Sequence, residues 1–283
     1  MEGATVRHVH SHDGLRLFYR DFAGGHSACP VLCLPGLTRN SRDFSDLAKH
    51  LSPARRVLAP DLRGRGLSEH DPEWRNYHPG TYLRDIWSLL DELGIERVIV
   101  IGTSLGGLIA MGMAVQNADR LAAVVMNDVG PEIAPEGLAR ISKYTGRLPP
   151  VASWEQAIAQ TKSVYGESWP GLTEQEWRKM AERAYCAGPD GLPKLDSDPA
   201  IGRAVRELGP QSGDPWQVFD ALGETPTLVL RGEHSDILSE ETLHRMRQRK
   251  PDLVTVTVAN RGHVPLLDEP DCIEAIDNFL GSL

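Results

Sequence analysis

Short runs of apolar residues alternate with helical patterns along most of this chain. The runs are PVLCLPG (30–36), RRVLAPDL (55–62), RVIVIG (97–102), LAAVVMND (121–128), TPTLVLRGE (225–233) and LVTVTVA (253–259). A strand that is apolar throughout is buried on both faces, which is typical of a parallel sheet covered by helices on each side. The sequence therefore predicts an α/β fold built on a mostly parallel sheet with helices on both faces.

Helical patterns and one hairpin complete this arrangement. Apolar residues recur at helical spacing between Thr81 and Leu93, and Gly94 follows as a helix stop. Further helices are predicted over 41–51, 105–116, 240–249 and 271–280. Near the start, alternating residues flank Asp13-Gly14, a pair that tolerates the positive φ angles of a tight turn. The hairpin and the apolar runs together predict an eight-stranded sheet.

The alternation stops between residues 131 and 215. This segment is helix-prone but irregular, it is rich in Gly, Pro and aromatic residues, and we predict no strand in it. The alternation resumes in 216–283. We therefore predict one α/β core domain formed by 1–130 and 216–283, with a helical insert, 131–215, after the sixth strand.

Charge and cysteine usage restrict the partners and the location of the chain. Its net charge is −9 and it has no long basic run, so we expect no nucleic-acid or membrane partner. We find no apolar stretch of the roughly 18 residues that a membrane span needs. The start, MEGATVRHVHSHDG, lacks a signal-peptide pattern, and the four cysteines show no pattern. These features predict a cytoplasmic protein.

A serine flanked by glycines follows the strand RVIVIG, in the stretch IGTSLGG (101–107). Ser104 would lie on a sharp turn between that strand and the next helix, whose free N–H groups favour negative charge. Gly102 and Gly106 lack Cβ atoms, so strand and helix can approach the turn closely. The alternative is a chance match in a Gly-rich turn. The strand before and the helix after favour the Gly-x-Ser-x-Gly nucleophile elbow.

A serine nucleophile needs a base, and His263 is our candidate among ten histidines. It follows the last strand in the loop NRGHVPLLDEP, where it can reach the elbow; the alternative is a loop histidine that caps the final helix. His234 is a lesser candidate. Alternating His8, His10 and His12 could hold a metal, but an exposed polar strand face is the favoured interpretation, and we predict no metal site.

The carboxylate that orients the histidine has three candidates. Asp236 follows the strand PTLVLRGE by a few residues, Asp128 ends the strand LAAVVMND, and Glu233 is the third choice. We prefer Asp236, because its strand is expected to neighbour the strand that precedes His263.

Two backbone N–H groups are candidates for holding the oxyanion of a reaction intermediate. One belongs to Leu105, directly after the serine, and the other to Leu37, in the loop after PVLCLPG.

Five blocks resemble the α/β-hydrolase superfamily, and they occur in the order LPGLTRNSRDF, DLRGRGLS, GTSLGG, LRGEHSD and RGHVPLLDEP. The order Ser104, Asp236, His263 matches the nucleophile, acid, histidine order of that superfamily. The chain departs from common family members at Pro35 and Thr103, where they often carry histidine. A serine nucleophile also separates it from the branches with an aspartate nucleophile, the epoxide hydrolases and haloalkane dehalogenases.

The resemblance implies that the insert is a lid over the substrate pocket. Its aromatic residues are Tyr144, Trp154, Tyr165, Trp169, Trp177 and Tyr185. Some are expected to line an acyl or alcohol pocket, and most to form the small core of the insert. Arg63 and Arg65, in DLRGRGLS, could attract a substrate carboxylate or form buried structural ion pairs.

These residues predict a cofactor-independent serine hydrolase that cleaves carboxylic esters of small, fairly apolar substrates. The alternatives are a lactonase of the enol-lactone type or a C–C bond hydrolase with the same triad, and, as another class, a non-catalytic binder of small ligands. We expect a monomer or a homodimer.

Overall fold

The computed structural model describes residues 3–25, 28–209 and 213–283. The predicted domain ranges also take in positions 1–2, 26–27 and 210–212, which lie outside the described residues. No helix within the described ranges is both long enough and apolar enough to cross a membrane.

Ten strands and ten α-helices form the described part of the chain. The strands are β1 (Thr5–His10), β2 (Arg16–Phe22), β3 (Val31–Leu34), β4 (Val57–Pro60), β5 (Val98–Thr103), β6 (Leu121–Asn127), β7 (Tyr185–Ala187), β8 (Pro193–Leu195), β9 (Thr227–Gly232) and β10 (Val254–Val258). The helices are α1 (Ser45–Leu51), α2 (Pro79–Glu92), α3 (Leu105–Asn117), α4 (Pro135–Tyr144), α5 (Trp154–Tyr165), α6 (Glu174–Ala184), α7 (Ala200–Glu207), α8 (Pro215–Asp220), α9 (Glu240–Arg249) and α10 (Pro270–Gly281).

The central sheet has eight strands in the order β1-β2-β4-β3-β5-β6-β9-β10. β2 runs antiparallel to both β1 and β4, and the remaining neighbours are parallel. The prediction of a mostly parallel eight-stranded α/β sheet is confirmed, as is the hairpin at Asp13-Gly14. β5 lies between β3 and β6, so the turn that follows β5 opens at the middle of the sheet.

Helices cover both faces of this sheet, as the apolar runs predicted. Along β5, Val98 and Val100 face a core formed with α2, α3 and α8, while Ile99 and Ile101 face a core formed with α1 and α10. All four side chains are fully buried. Burying a side chain of this size contributes about 1.5–3 kcal/mol, so both layers are needed to stabilise the central strands.

The insert contains α4 to α7, in agreement with its helix-prone sequence. The expectation that it holds no strand is wrong, because β7 and β8 form a small antiparallel pair with Tyr185 opposite Leu195. Each strand has only three residues, too few to produce a recognisable alternation. Trp169, Trp177 and Met180 form a separate small core.

Two hydrogen bonds to main-chain carbonyl oxygens attach the insert to the loop that follows β10. The Gly262 N–H donates to the Ser168 carbonyl oxygen over 2.7 Å. The indole N–H of Trp169 donates to the Val264 carbonyl oxygen over the same distance, 2.7 Å. The insert thereby holds the segment on either side of His263 against the carboxyl edge of the sheet.

Candidate active site

Ser104 occupies the sharp turn between β5 and α3. Its φ of 51° and ψ of −112° place it in a left-handed region that costs a non-glycine residue on the order of 1–3 kcal/mol. Its N–H donates to the Asn127 carbonyl oxygen over 3.0 Å, and its carbonyl oxygen accepts the Gly107 N–H over 2.9 Å. The surrounding backbone therefore holds the serine in a strained conformation at the carboxyl edge of the sheet.

The glycines around Ser104 are required by close backbone approach. A Cβ at Gly106 would lie 2.1 Å from the Leu34 carbonyl oxygen, and a Cβ at Gly102 would lie 2.4 Å from the carbonyl carbon and oxygen of Gly106. Both distances are far below van der Waals contact, and the atoms met are backbone atoms that cannot rotate away. The strand, turn and helix context expected for a nucleophile elbow is thus present.

His263 lies beside the serine, as the sequence predicted. It sits in the loop after β10, is only 7% exposed, and its Nε2 is 3.0 Å from the Ser104 Oγ. The parallel strands β5, β6 and β10 all end at the same edge of the sheet. The segments that follow these three strands therefore meet here.

Asp128, the residue after β6, is the carboxylate that contacts His263. Its Oδ2 lies 2.8 Å from the His263 Nδ1, and its side chain is fully buried. An ionised carboxylate only accepts hydrogen bonds, so Nδ1 carries a proton and the lone pair of Nε2 faces the serine hydroxyl. This tautomer is the one in which the histidine can take up the Ser104 proton.

The prediction that Asp236 contacts His263 is wrong. Asp236 instead forms a two-point ion pair with Arg140 of α4, at 2.6 Å from Nε to Oδ2 and 2.8 Å from Nη2 to Oδ1. Burial raises the pKa of Asp236, but the hydrogen bonds and the charge of Arg140 outweigh this and leave the pKa lowered.

The other sequence candidates lie apart from this centre. The Glu233 Oε2 accepts the Asn260 N–H over 2.8 Å and lies 3.8 Å from the His234 Nε2. Both side chains are about half exposed. Neither residue contacts Ser104 or His263 within the described ranges.

The surroundings of Asp128 show how the sequence could have identified it as the carboxylate that contacts His263. A carboxylate that directly ends an apolar, doubly covered strand is bound to be buried, and a buried carboxylate needs several donors. The Gly232 N–H donates to its Oδ1 over 2.8 Å, and the Ser235 hydroxyl donates to its Oδ2 over 2.7 Å. Ser235, which sequence reasoning missed, lies next to the rejected Asp236.

Of the two residues predicted to supply oxyanion donors, Leu105 directly follows Ser104, and Leu37 lines a cavity that Ser104 also lines. Leu105 is the first residue of α3, so its N–H has no acceptor inside the helix. We find no acceptor for the Leu37 N–H among the described residues. The Leu37 carbonyl oxygen accepts two hydrogen bonds from Arg65, at 2.9 Å from Nε and 2.8 Å from Nη2, which fix this loop.

Arg63 and Arg65 are both fully buried, which argues against a role in binding substrate. Arg63 pairs with three carboxylates, those of Asp13, Asp71 and Asp85. Arg63 therefore forms the buried ion pairs that were one of the two predictions for these arginines. Arg65 instead positions Leu37.

His8, His10 and His12 lie exposed along the first hairpin, in line with a polar strand face. Among the described residues, the group with metal-like spacing is His12, Asp13 and Asp85. Arg63 already neutralises both of these carboxylates.

A cavity of about 70 Å³ opens onto Ser104 and His263. Its apolar lining includes Phe44, Ile141, Trp169, Met180, Leu266 and Leu267. Residues of the insert thus form part of the cavity wall, and of its aromatic residues, Tyr144, Tyr165 and Trp169 line the cavity.

The family model described as Alpha/beta hydrolase family matches residues 31–271. The chain belongs to the α/β-hydrolase family. This α/β hydrolase is 33% identical over 272 residues to the 3-hydroxybutyrate-oligomer hydrolase of Cupriavidus necator, a match that covers 93% of this chain and 92% of that protein. It is 29% identical over 251 residues to the 2-(acetamidomethylene)succinate hydrolase of Mesorhizobium japonicum, over 88% of this chain and 87% of that protein.

Solved structures agree with this assignment. The crystal structure of an α/β hydrolase from Novosphingobium aromaticivorans superposes with a TM-score of 0.95 at 45% identity, and each chain is covered completely, at 100%. E-2-(acetamidomethylene)succinate hydrolase superposes with a TM-score of 0.82 at 26% identity, over 98% of this chain and 99% of that one. Both the family and these relatives identify the α/β hydrolase as a hydrolytic enzyme.

Proposed function

We propose that this α/β hydrolase cleaves carboxylic ester bonds of small substrates through a Ser104–His263–Asp128 triad. The observation that carries the proposal is the continuous hydrogen-bonded line of side chains. The Ser104 Oγ lies 3.0 Å from the His263 Nε2, and the His263 Nδ1 lies 2.8 Å from Asp128. Asp128 takes the role for which Asp236 was predicted.

The first half of the reaction forms an acyl-enzyme. The Ser104 Oγ attacks the ester carbonyl carbon while its proton passes to the His263 Nε2, and Asp128 stabilises the resulting imidazolium. The oxyanion accepts hydrogen bonds from the N–H groups of Leu37 and Leu105. Each such donor lowers the barrier by about 3 kcal/mol. The C–O bond to the alcohol then breaks, and the His263 Nε2 returns its proton to the leaving alkoxide.

The second half releases the acid. A water molecule takes the place of the alcohol, and the His263 Nε2 accepts one of its protons as the hydroxide oxygen attacks the acyl carbon. Collapse of this intermediate breaks the bond to the Ser104 Oγ, which takes its proton back from His263. Water and ester are consumed, acid and alcohol are formed, and the triad returns to its starting state.

Two features support small esters as substrates. The cavity at Ser104 holds only about 70 Å³ and is lined mainly by apolar side chains, which suits a short acyl group. Ester linkages are also what joins the units of a 3-hydroxybutyrate oligomer, the substrate named for the Cupriavidus necator relative.

The proposal is tested with 4-nitrophenyl acetate and butyrate. Ser104→Ala is expected to lower kcat by at least about 10⁴-fold, since removal of the nucleophile leaves only binding and the oxyanion donors. Ser163→Ala is the matched control, because the Ser163 hydroxyl bonds only the Gln160 carbonyl oxygen on the exposed side of α5. Equal turnover by wild type and Ser104→Ala would contradict the proposal.

A fluorophosphonate probe separates an enzyme from a ligand-binding member of the same fold. An activated Ser104 is expected to form a stable phosphonyl adduct, detected by mass spectrometry of the peptide that contains it. A folded wild-type protein that takes up no probe would favour a binding role. Panels of lactones and of C–C cleavage substrates, with Ser104→Ala as the blank, test the alternative bonds.

A further inference from the structure

Arg39 stands at the boundary between the catalytic cavity and a larger cavity beside it. It lies two residues after Leu37, in the loop that follows β3. The outer cavity has a volume of about 440 Å³ and is formed largely by the insert. Arg39, Thr38, Tyr144 and Tyr165 line both cavities, so a molecule that extends from one to the other passes these four side chains.

One end of the Arg39 guanidinium has no hydrogen-bond partner in the part of the chain that the structure describes. Its Nε and Nη2 bind Asp43 at 2.7 Å and 2.5 Å. Its Nη1 is buried without a hydrogen bond to the described residues, and the whole side chain is only 10% exposed. A buried charged donor left unpaired destabilises a fold by about 1–3 kcal/mol or more, so its retention calls for a compensating partner.

Four buried side-chain atoms lack a partner among the described residues: Arg39 Nη1, Arg140 Nη1, Asn127 Oδ1 and Glu269 Oε2. Arg39 alone among these residues lines either cavity. The guanidinium group that carries this unpaired donor therefore belongs to a residue of a cavity wall.

The remaining charged groups of the two cavities are already paired or exposed. Arg183 pairs with Asp46, and Asp196 pairs with Arg42. Lys194 and His70 lie on the exposed side of the outer cavity. Asp43 is satisfied by Arg39 itself. Among the described charged residues of the two cavities, Arg39 is therefore the one with a buried cationic donor that lacks a hydrogen-bond partner.

Arg39 also lies close to the reacting serine. A Cβ at Gly36 would lie 3.7 Å from the Arg39 Cγ and 3.8 Å from the Ser104 Cβ, so both side chains pack over the same glycine. The Arg39 Cζ lies 5.9 Å from the centre of the Tyr165 ring, which restricts the guanidinium. Arg39 and Ser104 also line the same small cavity, so one small molecule can reach both residues.

We propose that Arg39 Nη1 binds a carboxylate of the substrate, so that the preferred substrates are short esters with a free carboxylate a few bonds from the scissile carbonyl. A carboxylate matches both the charge and the planar donor geometry of a guanidinium. Arg39 would act as a specificity-determining residue beside the triad. The inference rests on the proposed ester hydrolysis and adds the substrate class.

The test compares substrates that differ only in charge. 3-Acetoxypropanoate and 3-acetoxypropanamide carry the group in the alcohol part, while methyl hydrogen succinate and methyl succinamate carry it in the acyl part. Wild type is expected to hydrolyse the carboxylate member of at least one pair with a kcat/KM at least about tenfold higher, which corresponds to about 1.4 kcal/mol. Arg39→Gln is expected to reduce that ratio to about one.

Arg140→Gln is the matched control. Arg140 has the same two-point pairing with an aspartate and the same free Nη1, but it lines neither cavity. This variant is expected to keep the carboxylate preference. Should Arg39→Gln fail to fold, inhibition of wild-type 4-nitrophenyl acetate turnover by 3-hydroxypropanoate, compared with 3-hydroxypropanamide, gives the same comparison without a variant.

The outcomes separate this inference from the proposed function. Turnover of 4-nitrophenyl acetate that depends on Ser104, with equal kcat/KM for both members of both pairs, overturns the role of Arg39 and leaves ester hydrolysis standing. A carboxylate preference that survives in Arg39→Gln overturns it as well. Loss of all Ser104-dependent turnover contradicts the proposed function itself.

Discussion

The Asp128 Oδ2 lies 2.8 Å from the His263 Nδ1, although 135 residues separate the two in the chain. Asp128 is held in turn by the Gly232 N–H and the Ser235 hydroxyl, which come from the end of β9 and the loop after it. The acid of the proposed triad thus follows β6, and the last residue of β9 and the loop after it supply its hydrogen-bond donors. This division of roles leads to the first prediction.

Asp128→Asn and Asp236→Asn are expected to differ sharply in ester turnover. An amide at 128 can donate to the His263 Nδ1 and so favours the tautomer with the proton on Nε2, which cannot accept from Ser104. We expect kcat to fall by about 10⁴-fold. Asp236→Asn removes a partly exposed ion pair with Arg140 that contributes about 0–1 kcal/mol to stability, so kcat is expected to change less than tenfold.

Steady-state kinetics with 4-nitrophenyl butyrate measure both variants, and circular dichroism shows that they are folded. A large loss of kcat in Asp236→Asn together with near-normal kcat in Asp128→Asn would show that Asp236 is the acid, as the sequence suggested.

Gly106→Ala is expected to destabilise the protein strongly. The added Cβ would meet the Leu34 carbonyl oxygen at 2.1 Å, and a backbone atom in a central strand cannot move aside cheaply. We expect a loss of about 3 kcal/mol in the free energy of unfolding, measured by urea denaturation. Gly281→Ala is the control, since a Cβ there meets nothing within 4 Å. Equal stability of the two variants would argue against the tight elbow.

Arg65→Lys is expected to lower kcat more than it raises KM. Arg65 donates to the Leu37 carbonyl oxygen from two nitrogens, Nε and Nη2, whereas a lysine has a single nitrogen to donate from. A looser Leu37 would bind the oxyanion less well in the transition state while leaving ground-state binding largely intact. We expect kcat to fall about tenfold, which is less than the loss of a whole donor. An unchanged kcat in a folded variant would remove Arg65 from the positioning of this loop.

The ion pair between Asp13 and Arg63 is expected to make stability depend on pH. The hydrogen bond from Arg63 holds the pKa of Asp13 well below its usual range, against the opposing effect of burial and with the help of Ser11. Because the pKa is lower in the folded state, the stabilisation is fully present above the unfolded pKa of about 3.9 and is lost as the pH falls further.

Asp13→Asn is therefore expected to be less stable than wild type by about 1 kcal/mol at pH 7, with the gap closing below about pH 4. Urea denaturation across this range measures it. Asp119→Asn, an exposed position without an ion pair among the described residues, is the control. A gap that stays constant from pH 7 to pH 3 would show that the charge of Asp13 is not what stabilises the fold.

The mostly parallel sheet and two of the three side chains of the proposed triad were accessible to sequence reasoning for physical reasons. Apolar runs report burial on both faces, and that pattern fixed the parallel sheet. Ser104 was marked by the glycines that its turn requires, and His263 by its place after the last strand. Local sequence carries each of these signals.

Asp236 was chosen wrongly because the choice depended on contacts between distant segments. Nothing near Asp236 in the sequence reveals that α4 brings Arg140 to it, or that Ser235 turns toward Asp128. The free Nη1 of Arg39 was hidden for the same reason, since only the packed structure shows which of its donors Asp43 occupies. The β7–β8 pair was missed because three residues are too few to show a period.

The hydrogen bonds from the Gly262 N–H to the Ser168 carbonyl oxygen and from the Trp169 indole N–H to the Val264 carbonyl oxygen have a consequence for engineering. Exchanging residues 131–215 for the corresponding segment of a homologue, in order to alter selectivity, would also remove the hydrogen bonds that hold the loop around His263. A chimera would need to retain both attachment points, or the catalytic imidazole would lose its alignment before any new substrate could be tried.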